Sequence, residues 1–195
     1  MEREPKIILA SASPRRAELL AKFGVQFAIE PSHIDESTQP DESPVEYITR
    51  LALAKVRDVG SRHQDGLIIG ADTTVVFEGE ILGKPQDEAA AFKMLRALAG
   101  RWHIVMTSVA LLVVEAQREI VSYEKTMVRF ARMNDEEIKW YLASGEYKDK
   151  AGAYGIQGSG GIFVKEIAGN YHNVVGLPLP LVYKLSQQVD YRLLG

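Results

Sequence analysis

Lys6-Ile7-Ile8-Leu9-Ala10-Ser11-Ala12-Ser13-Pro14-Arg15-Arg16 hands a short apolar run directly to a helix start, and the reading of the fold begins at that junction. Lys6 to Ala10 has the length and apolar content of a short buried strand. Ser13-Pro14 supplies a cap and a proline at the first helical position, where its missing N–H is no loss. The helix is expected to run to about Phe23 and to stop at Gly24. Val25 to Glu30 then reads as a second strand, and the polar stretch Pro31 to Glu42 as a loop. Ser43-Pro44-Val45-Glu46 repeats the capping logic with a glutamate at the third helical position, opening a helix to about Val59.

Further along, Leu67 to Ala71 reads as a buried strand that delivers Asp72, and Thr73 to Leu82 as a hairpin turning near Glu78-Gly79. Asp87 to Ala99 carries Phe92, Leu95 and Leu98 on one stripe of a helix that Gly100 ends. Two long β-rich segments, His103 to Val114 and Glu119 to Arg132, are expected to pair around Glu115 to Arg118. Asn134 to Ser144 is a helix with Glu137 three residues after its cap. A glycine-rich loop and a hairpin then lead to a last helix from about Pro180 to Leu193. Helices and strands do not alternate as regular βαβ units, so the expected fold class is α/β with a mixed sheet flanked by helices.

The chain has 195 residues, enough for one domain, here taken as a single domain of two lobes. Hydrophobic residues make up 46% and charged residues 25%, the balance of a globular protein with a substantial core. There is no cysteine, which removes disulfides, thiolate metal sites and cysteine nucleophiles. Met1 to Pro5 is charged and lacks the apolar core of a secretory signal, and no apolar run approaches the roughly 20 residues that span a bilayer. A cytoplasmic protein without a membrane partner is expected. The net charge of −3, without a basic block, argues against a nucleic-acid partner. A few placed cations acting on a small anionic ligand fit better.

Five places have the residue types for such chemistry. At Ser11 to Arg16, two arginines in a first helical turn oppose the helix dipole. Either they are solvated beside a plain Ser-Pro cap, or an anion sits over the helix start, held by backbone N–H groups, the Ser11 hydroxyl and a guanidinium. Asp72, after its apolar run, is either a turn-forming residue or a carboxylate that accepts a proton or holds a metal. Lys55 falls on the stripe of Ile48, Leu51 and Ala52, and either snorkels to solvent or reaches a phosphate. Gly83-Lys84-Pro85 restricts the direction of its lysine. Asp149 to Gly158 is glycine-rich enough to approach a ligand closely, with Asp149, Lys150 and Gln157 as its chemical groups. Neither a Walker loop nor a GxGxxG dinucleotide motif occurs. The four histidines lack zinc-ligand spacing and receive no catalytic role.

Taken in order, these blocks resemble the Maf family of nucleotide pyrophosphatases, historically linked to septum formation. Leu9-Ala10-Ser11 through Ser13-Pro14-Arg15-Arg16 with Glu18-Leu19-Leu20 is similar to the family's opening signature, and Gly70-Ala71-Asp72-Thr73 to its catalytic-aspartate motif. Gly83-Lys84-Pro85, Asp149 to Gly158 and Val174-Val175-Gly176-Leu177-Pro178 resemble three further blocks, so the likeness spans about Ile7 to Leu181. The resemblance implies an inosine-triphosphatase-like fold, an elongated mixed sheet with helices on both sides and a central cleft. It also implies a divalent metal, Mg²⁺ or Mn²⁺, and a homodimer. By position it makes Asp72 the proton acceptor and places Ser11, Arg15, Glu36, Lys55 and Lys84 around the triphosphate. Arg16, Asp149 and Lys150 join the substrate-binding candidates, and Glu36 and Asp72 are the candidate metal ligands.

Arg15, Thr73 and Gln157 correspond to positions linked to base choice in the branch acting on dTTP and UTP. Gly100-Arg101-Trp102-His103 with Val105-Met106-Thr107 also resembles that branch. A Gln carboxamide offers one donor and one acceptor, which suits the N3–H and O4 edge of thymine or uracil, though an amide that flips does not reject cytosine. The expected activity is hydrolysis of dTTP and UTP to the monophosphate and pyrophosphate. The alternatives are modified pyrimidine nucleotides, the branch acting on methylated guanosine triphosphate, and a nucleotide-binding regulator of septum formation without turnover.

Overall fold

A computed structural model of the chain describes residues 6–191, 193 and 194. The reading of Met1 to Pro5 as no secretory signal lies outside the described residues. The strands are β1 (Ile7–Leu9), β2 (Ala28–Ile29), β3 (Leu67–Phe77), β4 (Glu80–Leu82), β5 (Trp102–Val113), β6 (Arg118–Phe130) and β7 (Val164–Ala168). The helices are α1 (Pro14–Ala21), α2 (Pro44–Gly60), α3 (Glu88–Leu98), α4 (Asp135–Ala143), α5 (Tyr171–Val175) and α6 (Leu179–Gln188). One mixed sheet has the order β2-β1-β3-β5-β6-β7, with β4 paired to β3. β1 lies parallel to both neighbours, Ile8 opposite Ala28 and Ile68. β4 and β7 run antiparallel to β3 and β6, with Val75 opposite Leu82 and Val128 opposite Ile167. The α/β class with a mixed sheet and accompanying helices is therefore the observed one.

Two compact units divide the chain. The first comprises the residues up to Asp72, Thr107–Glu124 and those from Gly176 on; the second comprises Thr73–Met106 and Lys125–Val175. In the first, Ile8, Val56, Val59, Ile68, Ala110 and Leu112 form one apolar cluster. In the second, Val75, Leu95, Val128, Phe130, Tyr141 and Phe163 belong to another. Among the described residues, no helix is long and apolar enough to cross a membrane.

Local chemistry sets the helix ends. The Ser43 hydroxyl accepts from the Glu46 N–H at 3.3 Å, while the Glu46 carboxylate accepts from the Ser43 N–H at 2.9 Å. Asn134 and Glu137 build the same reciprocal cap on α4, and Asp87 caps α3 through the Ala90 N–H. α6 stops at Gln188 rather than near Leu193. Asp190 takes a left-handed φ of 58°, and the Tyr191 N–H bonds back to the Ser186 carbonyl, closing the helix as a Schellman turn.

Strand ends depart from the expectation where pairing decides them. β2 is two residues long instead of six, because it lies at the sheet edge and its one neighbour, β1, offers only three residues. β3 does not end before Asp72. It runs through Thr73-Thr74-Val75-Val76, β-branched residues that fit a pleated surface, and turns at Glu78 and Gly79, both at positive φ. The glycine-rich segment is not a loop followed by a hairpin. It forms 3₁₀ turns at Glu146–Asp149, Ala151–Ala153 and Ser159–Phe163, and the strand after them, β7, pairs with β6.

Candidate functional site

α2 and the middle of β3 bring the first group together. Gly70 and Asp72 are two residues apart on β3 and share a face of the sheet. A Cβ on Gly70 would stand 2.7 Å from Val56 Cγ1, 3.0 Å from the Ala52 carbonyl oxygen and 3.4 Å from Lys55 Cβ, so the missing side chain lets α2 lie against the strand. The close approach puts Lys55 Nζ 2.6 Å from Asp72 Oδ1. The same ammonium lies 2.7 Å from Glu36 Oε1. Lys55 and Asp72 are only 6% and 7% exposed, whereas Glu36 reaches the group from the exposed loop before α2. The lysine on the apolar stripe thus does not snorkel to solvent. It is a buried cation shared by two carboxylates.

Burial raises the proton affinity of Asp72 above that of an ordinary carboxyl; Lys55 and Arg16 oppose the shift, and the Glu36 charge adds to it. The direction is notable because two cations face the group and burial still outweighs them. Tyr47, two turns before Lys55 on α2, donates its hydroxyl to the Glu36 carbonyl at 3.0 Å. Its phenol is pushed up to about 12, first by burial and then by the charges of Asp72 and Glu36. Arg50, one turn before Lys55, holds Glu42 through Nε at 2.5 Å and Nη2 at 2.7 Å, and Nη2 also donates to the Ser37 carbonyl at 3.0 Å. The long loop that carries Glu36 is thereby fastened to the helix that carries Lys55.

The start of α1 supplies the second cation. Ser13 makes no side-chain cap bond. Instead the Ser11 hydroxyl oxygen accepts from the Ser13 N–H at 3.2 Å and from Arg16 Nη1 at 3.3 Å, and Arg16 Nε donates to the Gly176 carbonyl at 2.8 Å. Burial lowers the pKa of the Arg16 guanidinium, while the charges of Asp72 and Glu36 raise it and that of Arg15 lowers it. Arg16 therefore sits within the electrostatic reach of the Asp72 cluster, with Arg15 beside it on the first helical turn. Ser11, Arg16, Glu36, Lys55 and Asp72 form one charged group in the first unit.

The remaining candidates belong to the second unit. Thr73 is the next residue of β3, and Lys84 is exposed in the loop after β4. Lys150 directs its ammonium to the Glu146 carbonyl at 2.5 Å and to Asp149 Oδ1 at 2.7 Å, so Asp149 and Lys150 pair with each other. Gln157 is exposed between two glycine-rich turns. The sequence reading missed Tyr47 and Arg50, although Tyr47-Leu51-Lys55 at intervals of four places the tyrosine on the lysine's own face.

A divalent cation fits the donor set. Glu36 and Asp72 bring carboxylate oxygens to the same ammonium, and both are the hard oxygen donors Mg²⁺ takes. Among the described residues no three or more His, Asp or Glu side chains converge, so Glu36 and Asp72 would leave the other coordination positions to phosphate oxygens and water. That division is usual for Mg²⁺ bound with a nucleotide.

Comparison with known proteins places the chain in a family. The Maf-like protein family model matches residues 6–189. A protein of Symbiobacterium thermophilum named dTTP/UTP pyrophosphatase is 48% identical, the alignment covering 95% of each chain. A Moorella thermoacetica protein of the same name is 52% identical over 92% of this chain and 93% of its own. Among solved structures, a HAM1 protein from Coxiella burnetii superimposes with a TM-score of 0.54 at 16% identity, over 96% of this chain and 99% of that one, which speaks for the fold alone. On the extent of the family match and the identity to these relatives, this chain belongs to the Maf-like protein family.

Proposed function

We propose that this protein is a nucleoside triphosphate pyrophosphatase that converts dTTP and UTP to the monophosphate and pyrophosphate. The observation that carries the reading is the Glu36–Lys55–Asp72 cluster, a buried carboxylate of raised proton affinity paired to a buried ammonium, in a chain whose relatives bear that activity in their names. A buried Lys–Asp pair is costly to desolvate, and the cost is accepted where the charges have work beyond stability.

When a triphosphate arrives, its oxygens compete with Asp72 and Glu36 for the Lys55 ammonium. Ser11, the N–H groups at the start of α1, and the arginines of its first turn orient the phosphates, with Lys84 as a further cation. Asp72, relieved of part of its ion pair, accepts a proton from water as the water oxygen bonds to the α-phosphorus. The bond from the α-phosphorus to the bridging oxygen breaks, and pyrophosphate leaves with the electron pair. Glu36 and Asp72 would hold a Mg²⁺ or Mn²⁺ ion, which would supply charge neutralisation at the phosphates. Positioning and charge stabilisation account for most of the acceleration in such transfers. Arg15, Thr73 and Gln157 are the candidates for reading the base.

Asp72→Asn tests the reading. It keeps the shape and the hydrogen-bond acceptor for Lys55 but removes the base, so pyrophosphate release from dTTP with Mg²⁺ is expected to fall about 10²–10⁴-fold with an unchanged circular dichroism spectrum. Hydrolysis in ¹⁸O-water should place the label in dTMP. Turnover of the variant at the wild-type rate, label in pyrophosphate, or no pyrophosphate from the wild-type protein would each overturn it.

A further inference from the structure

Gln157 is an exposed side chain in a glycine-rich stretch, yet its backbone is braced on both sides. Glu146 Oε1 accepts from the Ser159 N–H at 3.1 Å and from the Ser159 hydroxyl at 2.8 Å. The same carboxylate is pressed against Gly158: a Cβ there would stand 2.2 Å from Oε2. On the other side, the Gly155 N–H donates to the Tyr141 hydroxyl at 3.3 Å, and a Cβ on Gly155 would meet the Lys150 Cε at 2.6 Å. Lys150 is itself tied to the Glu146 carbonyl at 2.5 Å. A Cβ on Gly161 would meet the Ile156 carbonyl oxygen at 2.4 Å, so the turn folds back tightly on the residue before Gln157. Tyr141 is fully buried on α4, which gives the brace a rigid footing.

From this arrangement we infer that Glu146 is a positioning residue for nucleotide recognition, holding the Gly155–Gly160 turn so that the Gln157 amide is presented to the base at a fixed place. A carboxylate does this better than a neutral side chain, because bonds from N–H and O–H groups to an ionised acceptor are shorter and about twice as strong. The Ser159 backbone bond, the largest influence, holds the Glu146 carboxyl below its usual range, so the group is ionised at neutral pH. The glycines at 155, 158 and 160 leave Ile156 as the turn's one apolar side chain packed on the core, so much of its fixed geometry must come from outside it. Glu146, Lys150 and Tyr141 supply that geometry. The inference rests on the pyrimidine-triphosphate reading, in which Gln157 faces the base.

Base recognition and phosphate binding are separated by measuring kcat/KM for dTTP and ATP together with the inhibition constant of inorganic tripolyphosphate, which has no base. Glu146→Ala is expected to lower kcat/KM for dTTP and the dTTP-to-ATP ratio about tenfold, the equivalent of about 1.4 kcal/mol, and to leave the tripolyphosphate constant within twofold. Glu146→Gln, which keeps one acceptor for Ser159, should recover most of the ratio, and it stands in if the alanine variant does not fold. Gln157→Ala serves as the reference. An unchanged ratio in Gln157→Ala overturns the base-reading premise and the inference with it. A collapsed ratio in Gln157→Ala beside an intact one in Glu146→Ala overturns the bracing alone. Parallel losses for dTTP, ATP and tripolyphosphate assign Glu146 to general stability and overturn its role in recognition.

Discussion

Gly70→Ala is the sharpest test of how the fold makes the charged site. The new methyl would stand 2.7 Å from Val56 Cγ1 and 3.0 Å from the Ala52 carbonyl oxygen. Carbon atoms in contact prefer about 3.5–4.0 Å, so roughly 1 Å of clearance is missing. Val56 is fully buried and the Ala52 oxygen is backbone, so neither swings aside; α2 has to move outward. Overpacking of this size costs about 1–3 kcal/mol. Lys55 sits on α2 and Asp72 on β3, so moving the helix off the strand disturbs their 2.6 Å contact, and a shift of about 1 Å at a reacting group lowers rates by about 100-fold. Urea unfolding and kcat for dTTP, measured on the same preparation, read the two effects separately. Gly60→Ala supplies the contrast on the same helix: its Cβ would meet only the tip of the Leu112 side chain, at 2.5 Å for Cδ2. It lies at the helix end, away from Lys55, and should cost stability without a comparable fall in kcat. A Gly70→Ala enzyme with kcat within twofold of wild type would refute the claim that the approach of α2 sets the Lys55–Asp72 geometry.

Lys55→Met removes a cation that bonds both carboxylates. Breaking a buried pair costs about 3–5 kcal/mol, and the half-exposed Glu36 contributes little of it, so the penalty falls on Asp72. Because burial already raises the Asp72 pKa, the folded variant binds a proton more firmly than the unfolded chain. The loss should be largest near pH 8 and shrink as pH falls towards 5, a trend read by urea midpoints across that range; a pH-independent loss would count against it. His103 behaves in the opposite sense. Its ring is buried against Phe130 and Tyr154, with Nε2 2.8 Å from the Tyr154 hydroxyl, and burial pushes its pKa down to about 4. Between about pH 6.5 and pH 4 the unfolded chain holds the proton and the native ring does not, so stability drops as pH falls, by about 3 kcal/mol in all. His103→Phe should flatten that part of the profile relative to wild type, whatever its stability at pH 7; parallel profiles would remove His103 as the cause.

The starts of α2 and α4 were legible because they are written locally, whereas α5 and the end of α6 were not. Ser43 with Glu46 and Asn134 with Glu137 each close a cap within four residues, and the chain needs no distant partner to form them. Strand ends are decided elsewhere. Nothing within Val25 to Glu30 announces that β1 offers it a ladder of only three residues, and nothing near Asp72 announces that β3 continues through it. The glycine-rich segment misled for a related reason: bonds from Glu146, Lys150 and the distant Tyr141 hold its conformation, and glycines themselves accept a hairpin and a 3₁₀ turn equally.

The site was legible as a set of unsolved problems. A lysine on the stripe of Ile48, Leu51 and Ala52, all fully buried, has to escape or find anions, and the spacing of α2 states that problem without naming the anions. They come from 17 residues after it on β3 and 19 before it in a loop, separations at which no local pattern survives. The two arginines of α1 pose a similar question. Adjacent helical residues point about 100° apart, and the one tied to Ser11 and Gly176 is Arg16 rather than Arg15. Each residue that breaks a local rule, the inward lysine, the buried aspartate and the cation at a helix start, is stabilised in part by the others. Charges that satisfy one another across such distances fold no better than apolar residues would in their place. What distinguishes them, in the proposed mechanism, is that a phosphate oxygen replaces a carboxylate at Lys55 and leaves Asp72 free to take a proton, and a core of leucines offers no such exchange.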